Sequence, residues 1–147
     1  MPVLVRSAFG LTMLIFIAAG AIVLAGQKDR VAASAAWVKT PAAGDKTAMA
    51  FVNIDNPTAY DVFFTSGTTD VAGKVELRDG SKGADAKAQA VEFIVVPAYG
   101  SLSMDEKGVH LMLTELKRPL KPGEMVSVTL TTQDSAKLQF NAAVRNR

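Results

Sequence analysis

Met125-Val126-Ser127-Val128-Thr129-Leu130-Thr131-Thr132 decides the fold class. Apolar residues occupy every second place, and hydroxyl residues fill the places between them. A β-strand turns successive side chains to opposite faces, so this alternation predicts one face packed on a core and one facing water. Outward from it the chain repeats the theme in short apolar runs. These are Trp37-Val38, Ala48 to Ile54, Tyr60 to Thr65, Val71 to Leu77, Ala90 to Val96, Ser101 to Met104, Val109 to Leu113 and Lys137 to Val144. Turn-forming pairs fall between them at Asn56-Pro57, Ser66-Gly67, Asp79-Gly80, Tyr99-Gly100, Lys107-Gly108 and Pro122-Gly123. Nothing from Ala36 onward sustains a helical period. Regular short strands with Gly/Pro turns predict an all-β sandwich or small barrel.

The first residues follow a different logic. Ser7 to Gly26 is an uncharged apolar run preceded by Arg6, the layout of a signal peptide, and it is also long enough to cross a bilayer as an uncleaved leader helix. Small-residue cleavage sites stand at Val23-Leu24-Ala25 and Ala33-Ser34-Ala35, and Gln27 to Ala35 reads as a short connector. The organisation expected is therefore a signal peptide or membrane anchor with connector over residues 1–35 and one β domain over 36–147. Export is expected, to the periplasm or to the periplasmic side of the inner membrane, with membrane contact only through an uncleaved leader.

The formal net charge of +2 belongs to that leader region, where Arg6, Lys28 and Arg30 face a single Asp29. The domain from Ala36 is formally neutral, so it has no field to capture phosphate, and nucleic acid is not an expected partner. Cysteine is absent. Disulfides, thiolate metal sites, C-x-x-C redox chemistry and lipid attachment on cysteine are all excluded. With one histidine, no cysteine and no G-x-S-x-G elbow, the chain is not expected to be an enzyme.

That histidine is informative through its neighbour. In Gly108-Val109-His110-Leu111-Met112-Leu113 the expected strand sets His110 and Met112 on one face, an imidazole beside a thioether. Nitrogen and soft sulfur suit copper, Cu(I) before Cu(II), better than harder ions. A histidine packed next to a methionine for structural reasons gives the same spacing, so spacing alone leaves both readings open.

The longer run Gly108 to Glu124, with Leu116-Lys117-Arg118-Pro119-Leu120-Lys121-Pro122-Gly123, resembles the signature of the periplasmic copper chaperone family PCu(A)C. Ala36-Trp37-Val38-Lys39, Lys46-Thr47-Ala48-Met49-Ala50-Phe51-Val52-Asn53-Ile54-Asp55-Asn56-Pro57, Val71 to Leu77 and Val96 to Gly100 extend the resemblance over about Ala36 to Phe140. It implies a cupredoxin-like β-sandwich and a Cu(I) site of four soft ligands, of which only His110 and Met112 are kept. The family's first histidine falls on Arg78, whose guanidinium has no lone pair to donate. The methionine segment falls on Ala86-Lys87-Ala88. By this reading Arg78 lies close to His110 and repels a cation there. Met49, Met104 and Met125 are read as packing residues, and Asp79, Asp85 and Asp105 as solvated turn residues. The loop from Arg78 to Lys87, polar and Gly/Ala-rich, is expected to be mobile.

Two functions follow. The first is a periplasmic copper-binding and copper-delivery protein that serves respiratory oxidase copper centres through His110 and Met112. The second is a metal-free interaction domain of the cell envelope that kept the fold and lost copper. Either would have an oxidase-assembly or other envelope protein as partner.

Overall fold

The computed structural model describes residues 30–82 and 89–146. The expected leader and the segment Ala86-Lys87-Ala88 lie outside the described residues. Ten strands follow in chain order: β1 (Ala32–Lys39), β2 (Ala48–Asn56), β3 (Val62–Thr69), β4 (Ala72–Asp79), β5 (Gln89–Ala90), β6 (Ile94–Val96), β7 (Gly100–Ser103), β8 (Val109–Leu116), β9 (Met125–Thr132) and β10 (Lys137–Arg145). The described residues contain one short 3₁₀ turn, Gly80–Lys82, and no α-helix. The order β4-β8-β2-β1-β10-β9-β3 is closed by a β3–β4 pairing, so seven strands form a small barrel. The short β5, β6 and β7 pair onto β4, β3 and β2. The all-β expectation holds.

β9 behaves as its alternation requires. Val126, Val128 and Leu130 are buried, while Ser127, Thr129 and Thr131 are only half-buried. Inward residues of the other strands complete one core, among them Val38, Ala50, Val52, Leu111, Leu113 and Val144.

Three sequence expectations are corrected. The stretch read as a connector enters the fold, since Ala32, Ala33 and Ser34 pair with Asp55, Ile54 and Asn53 of β2. A bulge then separates Ser34 from Trp37, with Ala35 at φ 50°. Cleavage after Ala35 would therefore cut inside a paired strand. Second, Ser66-Gly67 is not a turn. β3 runs through it because Gly67 sits at the closure, opposite Val75, where an added Cβ would stand 2.9 Å from Val75 Cγ1. The missing side chain is what lets β3 approach β4. Third, the run Ala90 to Val96 is two strands: Ala90 pairs with Arg78, whereas Ile94 to Val96 pair with Phe64 to Val62. Phe93, between them, packs edge-on against Phe63 with centroids 5.6 Å apart.

The polar loop after β4 is also more built than expected at its start. Asp79 is buried, and its Oδ1 accepts hydrogen bonds from the Ser81 backbone N–H at 2.9 Å and the Ser81 hydroxyl at 2.6 Å. Asp105 is the turn residue it was read as, its Oδ1 accepting from the N–H groups of Lys107 and Gly108.

Candidate metal centre

His110 and Met112 stand on β8, two residues apart, with the core residues Leu111 and Leu113 turned the other way. They therefore share the barrel's outer face. β8 lies between β4 and β2. On one side Arg78 is paired with His110 and Glu76 with Met112, and on the other side Met49 is paired with Met112. Directly paired residues of antiparallel strands put their side chains on the same face. Arg78, Glu76 and Met49 thus belong to the face that carries His110 and Met112.

An outer-face residue would ordinarily meet water, yet His110 is 0% exposed. Phe51 stands beside it, the inner end of an aromatic row. Trp37 on β1 lies 4.7 Å from Phe51 on β2 between ring centroids, and Phe51 lies 6.1 Å from the imidazole. The Arg145 guanidinium sits over Trp37 at 4.5 Å, a cation–π contact that extends the row to β10. Lys39 on β1 is ion-paired at 2.7 Å with Glu106, in the turn that leads into β8, so the pair spans the intervening β2.

The hydrogen bonding of the ring fixes its tautomer. His110 Nδ1 is 3.0 Å from the Gly108 carbonyl oxygen, which can only accept, so Nδ1 carries a proton and, in the neutral ring, Nε2 keeps the lone pair. Nε2 is buried and, among the described residues, has no hydrogen-bond partner. Leaving such an atom unmatched costs about 1–3 kcal/mol. A histidine that donates one ring nitrogen to a backbone carbonyl and presents the other as a bare lone pair is in the state a metal ligand needs. The donor set, a neutral imidazole with thioethers on the same face, fits a soft monovalent ion.

The expected closeness of Arg78 to His110 is met by the register. Its charge is handled differently from the expectation, because the guanidinium is bonded to Glu76, Nε donating at 2.9 Å and a terminal nitrogen also donating. Lys74 reaches the same carboxylate at 3.3 Å. The Arg78 hydrogen bond holds the Glu76 carboxyl below its ordinary value of 4.5. Glu76 thus neutralises part of the charge of the β4 flank, so repulsion of an ion from that side is reduced.

Met49 packs against the core, as expected of it. The β2–β8 register also sets it directly opposite Met112, and both methionines line an open cavity of about 370 Å³ with Lys39, Thr40, Pro41 and Asp45. The Thr40 hydroxyl in the same lining is also buried without a partner. Only strand pairing could have revealed this, since Met49 and Met112 are far apart in the chain. Met104 is buried, as a packing residue should be, whereas Met125 is 61% exposed and does not pack as expected. Among the described residues, no three His, Cys, Asp or Glu side chains group as a metal site, so any site here depends on thioethers.

The family described as "Putative lipoprotein LpqE-like" matches residues 31–144. The chain belongs to this LpqE-like family. A putative lipoprotein of Leifsonia xyli subsp. xyli, Lxx21020, is 33% identical over 112 residues, 75% of this chain and 66% of the relative. The LpqE-like chain thus spans just under two thirds of that relative's length. Among solved structures, the copper-bound PCuAC domain from PmoF2 has the same fold, with a TM-score of 0.69 at 15% identity over 80% of this chain and 93% of that domain. The solution structure of CuI-DR1885 from Deinococcus radiodurans gives a TM-score of 0.68 at 28% identity and 84% coverage of each chain. The cupredoxin-like expectation for this LpqE-like domain is met. The lipoprotein description meets a sequence without cysteine, so a lipid here would need another attachment point.

Proposed function

We propose that this LpqE-like protein is an exported, non-enzymatic copper-binding domain that carries Cu(I) as cargo through His110 and Met112. The observation that carries the reading is the His110 ring: Nδ1 donates to the Gly108 carbonyl, and the buried Nε2 keeps an unmatched lone pair on the face shared with Met112. Likeness to domains solved with copper supports the same conclusion. The hydrophobic leader and the lipoprotein relative support an envelope location. Release would proceed by ligand exchange, a partner's donors displacing thioether and imidazole in turn. The expected recipient is an envelope protein engaged in oxidase copper-centre assembly. Protonation of Nε2 competes directly with the ion, so acid weakens retention.

A second reading, a metal-free interaction domain, is favoured by one arrangement: Arg78 stands opposite His110, and the imidazole is closed off from solvent. Anaerobic Cu(I) titration of the full chain against a chromophoric chelator separates the two. Copper carriage requires one ion per chain, lost in His110→Gln and in Met112→Leu. No Cu(I) uptake, or uptake indifferent to both substitutions, would leave the metal-free reading.

A further inference from the structure

We infer that Met49 is a third soft ligand, so that this chain binds Cu(I) with one imidazole and two thioethers in a site moved from the β4 side of β8 to its β2 side. The inference rests on the copper-binding reading above and assigns a residue that the His-x-Met spacing cannot supply.

The register carries it. Met49 and Met112 are a directly opposed pair of β2 and β8, and such pairs hold their Cβ atoms about 4.5–5.5 Å apart on one face. Metal–sulfur bonds of about 2.3 Å let a single ion join sulfur atoms up to twice that distance apart. Methionine has three freely rotating side-chain bonds, so two opposed methionines reach a common point without backbone movement. Accessibility points the same way. Both methionines are half-buried and line the same open cavity, whereas His110 is fully covered. The thioether pair is where an ion from solvent first meets soft donors, and His110 is the next residue of β8 on the same face.

The donors differ on the two sides of β8. To the β4 side of His110 stands Arg78, whose guanidinium has no lone pair to donate. To the β2 side Met49 offers a thioether opposite Met112, in a cavity also lined by Lys39, which is ion-paired with Glu106. An ion held by His110 and Met112 therefore gains a third donor on the β2 side. Three neutral soft donors suit Cu(I), and a softer, redox-inert ion such as Ag(I) should follow the same path.

Three measurements on the full chain test this. Copper K-edge absorption of the Cu(I)-loaded protein is expected to resolve two sulfur neighbours, falling to one in Met49→Leu, with Cu(I) affinity reduced at least about tenfold. Met125→Leu, at an exposed position outside the cavity, should change neither. On the unmutated protein, Ag(I) titration followed by NMR of the methionine methyl groups should shift Met49 and Met112 and leave Met125 in place, a result independent of any variant's folding. If His110→Gln and Met112→Leu weaken binding while Met49→Leu keeps affinity and sulfur count, the Met49 assignment is wrong and the copper reading stands. If the native chain takes up no Cu(I), both fall together.

Discussion

β8 and β9 are both eight-residue strands of the same barrel, and their inner faces are interchangeable in kind. Leu111 and Leu113 on one, Val128 and Leu130 on the other, are all fully buried. Their outer faces differ. β9 presents Ser127, Thr129 and Thr131, with Ser127 engaged by Thr69 at its carbonyl and by Gln139 at its hydroxyl. β8 presents an imidazole that is fully buried beside Phe51 and a thioether that lines an open cavity. A strand's own alternation determines which residues face the core, while the state of the outer face is set by the neighbours across the sheet. Where an outer face is buried around an unmatched polar atom, burial serves something other than stability.

The comparison breaks first if the inner faces are unequal. Leu111→Ala and Leu130→Ala should each destabilise by about 2–5 kcal/mol, since both remove a fully buried side chain from one shared core. Chemical denaturation measures this directly. A loss below about 1 kcal/mol in either would mean that its strand is not held by the core as described.

The outer faces should separate in the next experiment. His110→Ala removes a buried imidazole together with its unmatched Nε2, so the lost packing is partly offset by the relieved lone pair, and Cu(I) binding is abolished. Thr129→Ala on β9 should stay within about 0.5 kcal/mol of native stability and leave Cu(I) binding unchanged. A His110→Ala protein that still binds Cu(I) as the native chain does would remove the functional half of the contrast.

The flank of β8 offers a gain of function. Arg78→His replaces a cation by a neutral donor directly opposite His110, and Cu(I) affinity is expected to rise by about tenfold or more. The same chelator competition reads it. An unchanged affinity would mean that the ion does not sense the residue opposite His110 on β4.

The legible part of this molecule was whatever alternation and turn chemistry encode locally. The strand at Met125–Thr132 and the shared face of His110 and Met112 follow from period two alone, and the family resemblance placed Arg78 beside His110. What escaped depends on pairing between distant segments. That Met49, a packing residue, stands opposite Met112 is visible only once β2 is laid against β8. Ser66-Gly67 reads as a turn until β3 is seen to need a residue without Cβ at the barrel's closure. Asn56 reads as half of a turn dipeptide, yet its buried amide donates to the carbonyls of Tyr60, Val96 and Pro97 and ties two distant loops together. Ala32 to Ser34 carry no strand signal of their own, and become strand because β2 offers an edge.

The smallest expected effect concerns acid. Glu76, paired across from Met112, and Glu124, just ahead of β9, are both held below the ordinary carboxylate value by an arginine, Arg78 in one case and Arg118 in the other. A carboxyl whose value is lowered by folding stabilises the native state above its unfolded value near 4.5, and that contribution is lost as pH falls through the lower folded value. Glu76 accepts from two cations and is partly covered, whereas the Glu124 pair is more exposed than the Arg78–Glu76 pair. Glu76→Gln should therefore lower stability at neutral pH by less than about 1 kcal/mol, and its difference from the native chain should close as pH drops below 4.5. Glu124→Gln should show the same sign with a smaller gap. Thermal unfolding followed from neutral pH down into that acid range tests both. A Glu76→Gln gap that persists unchanged at the lowest pH would mean that the Arg78–Glu76 pair is not the source of the shift.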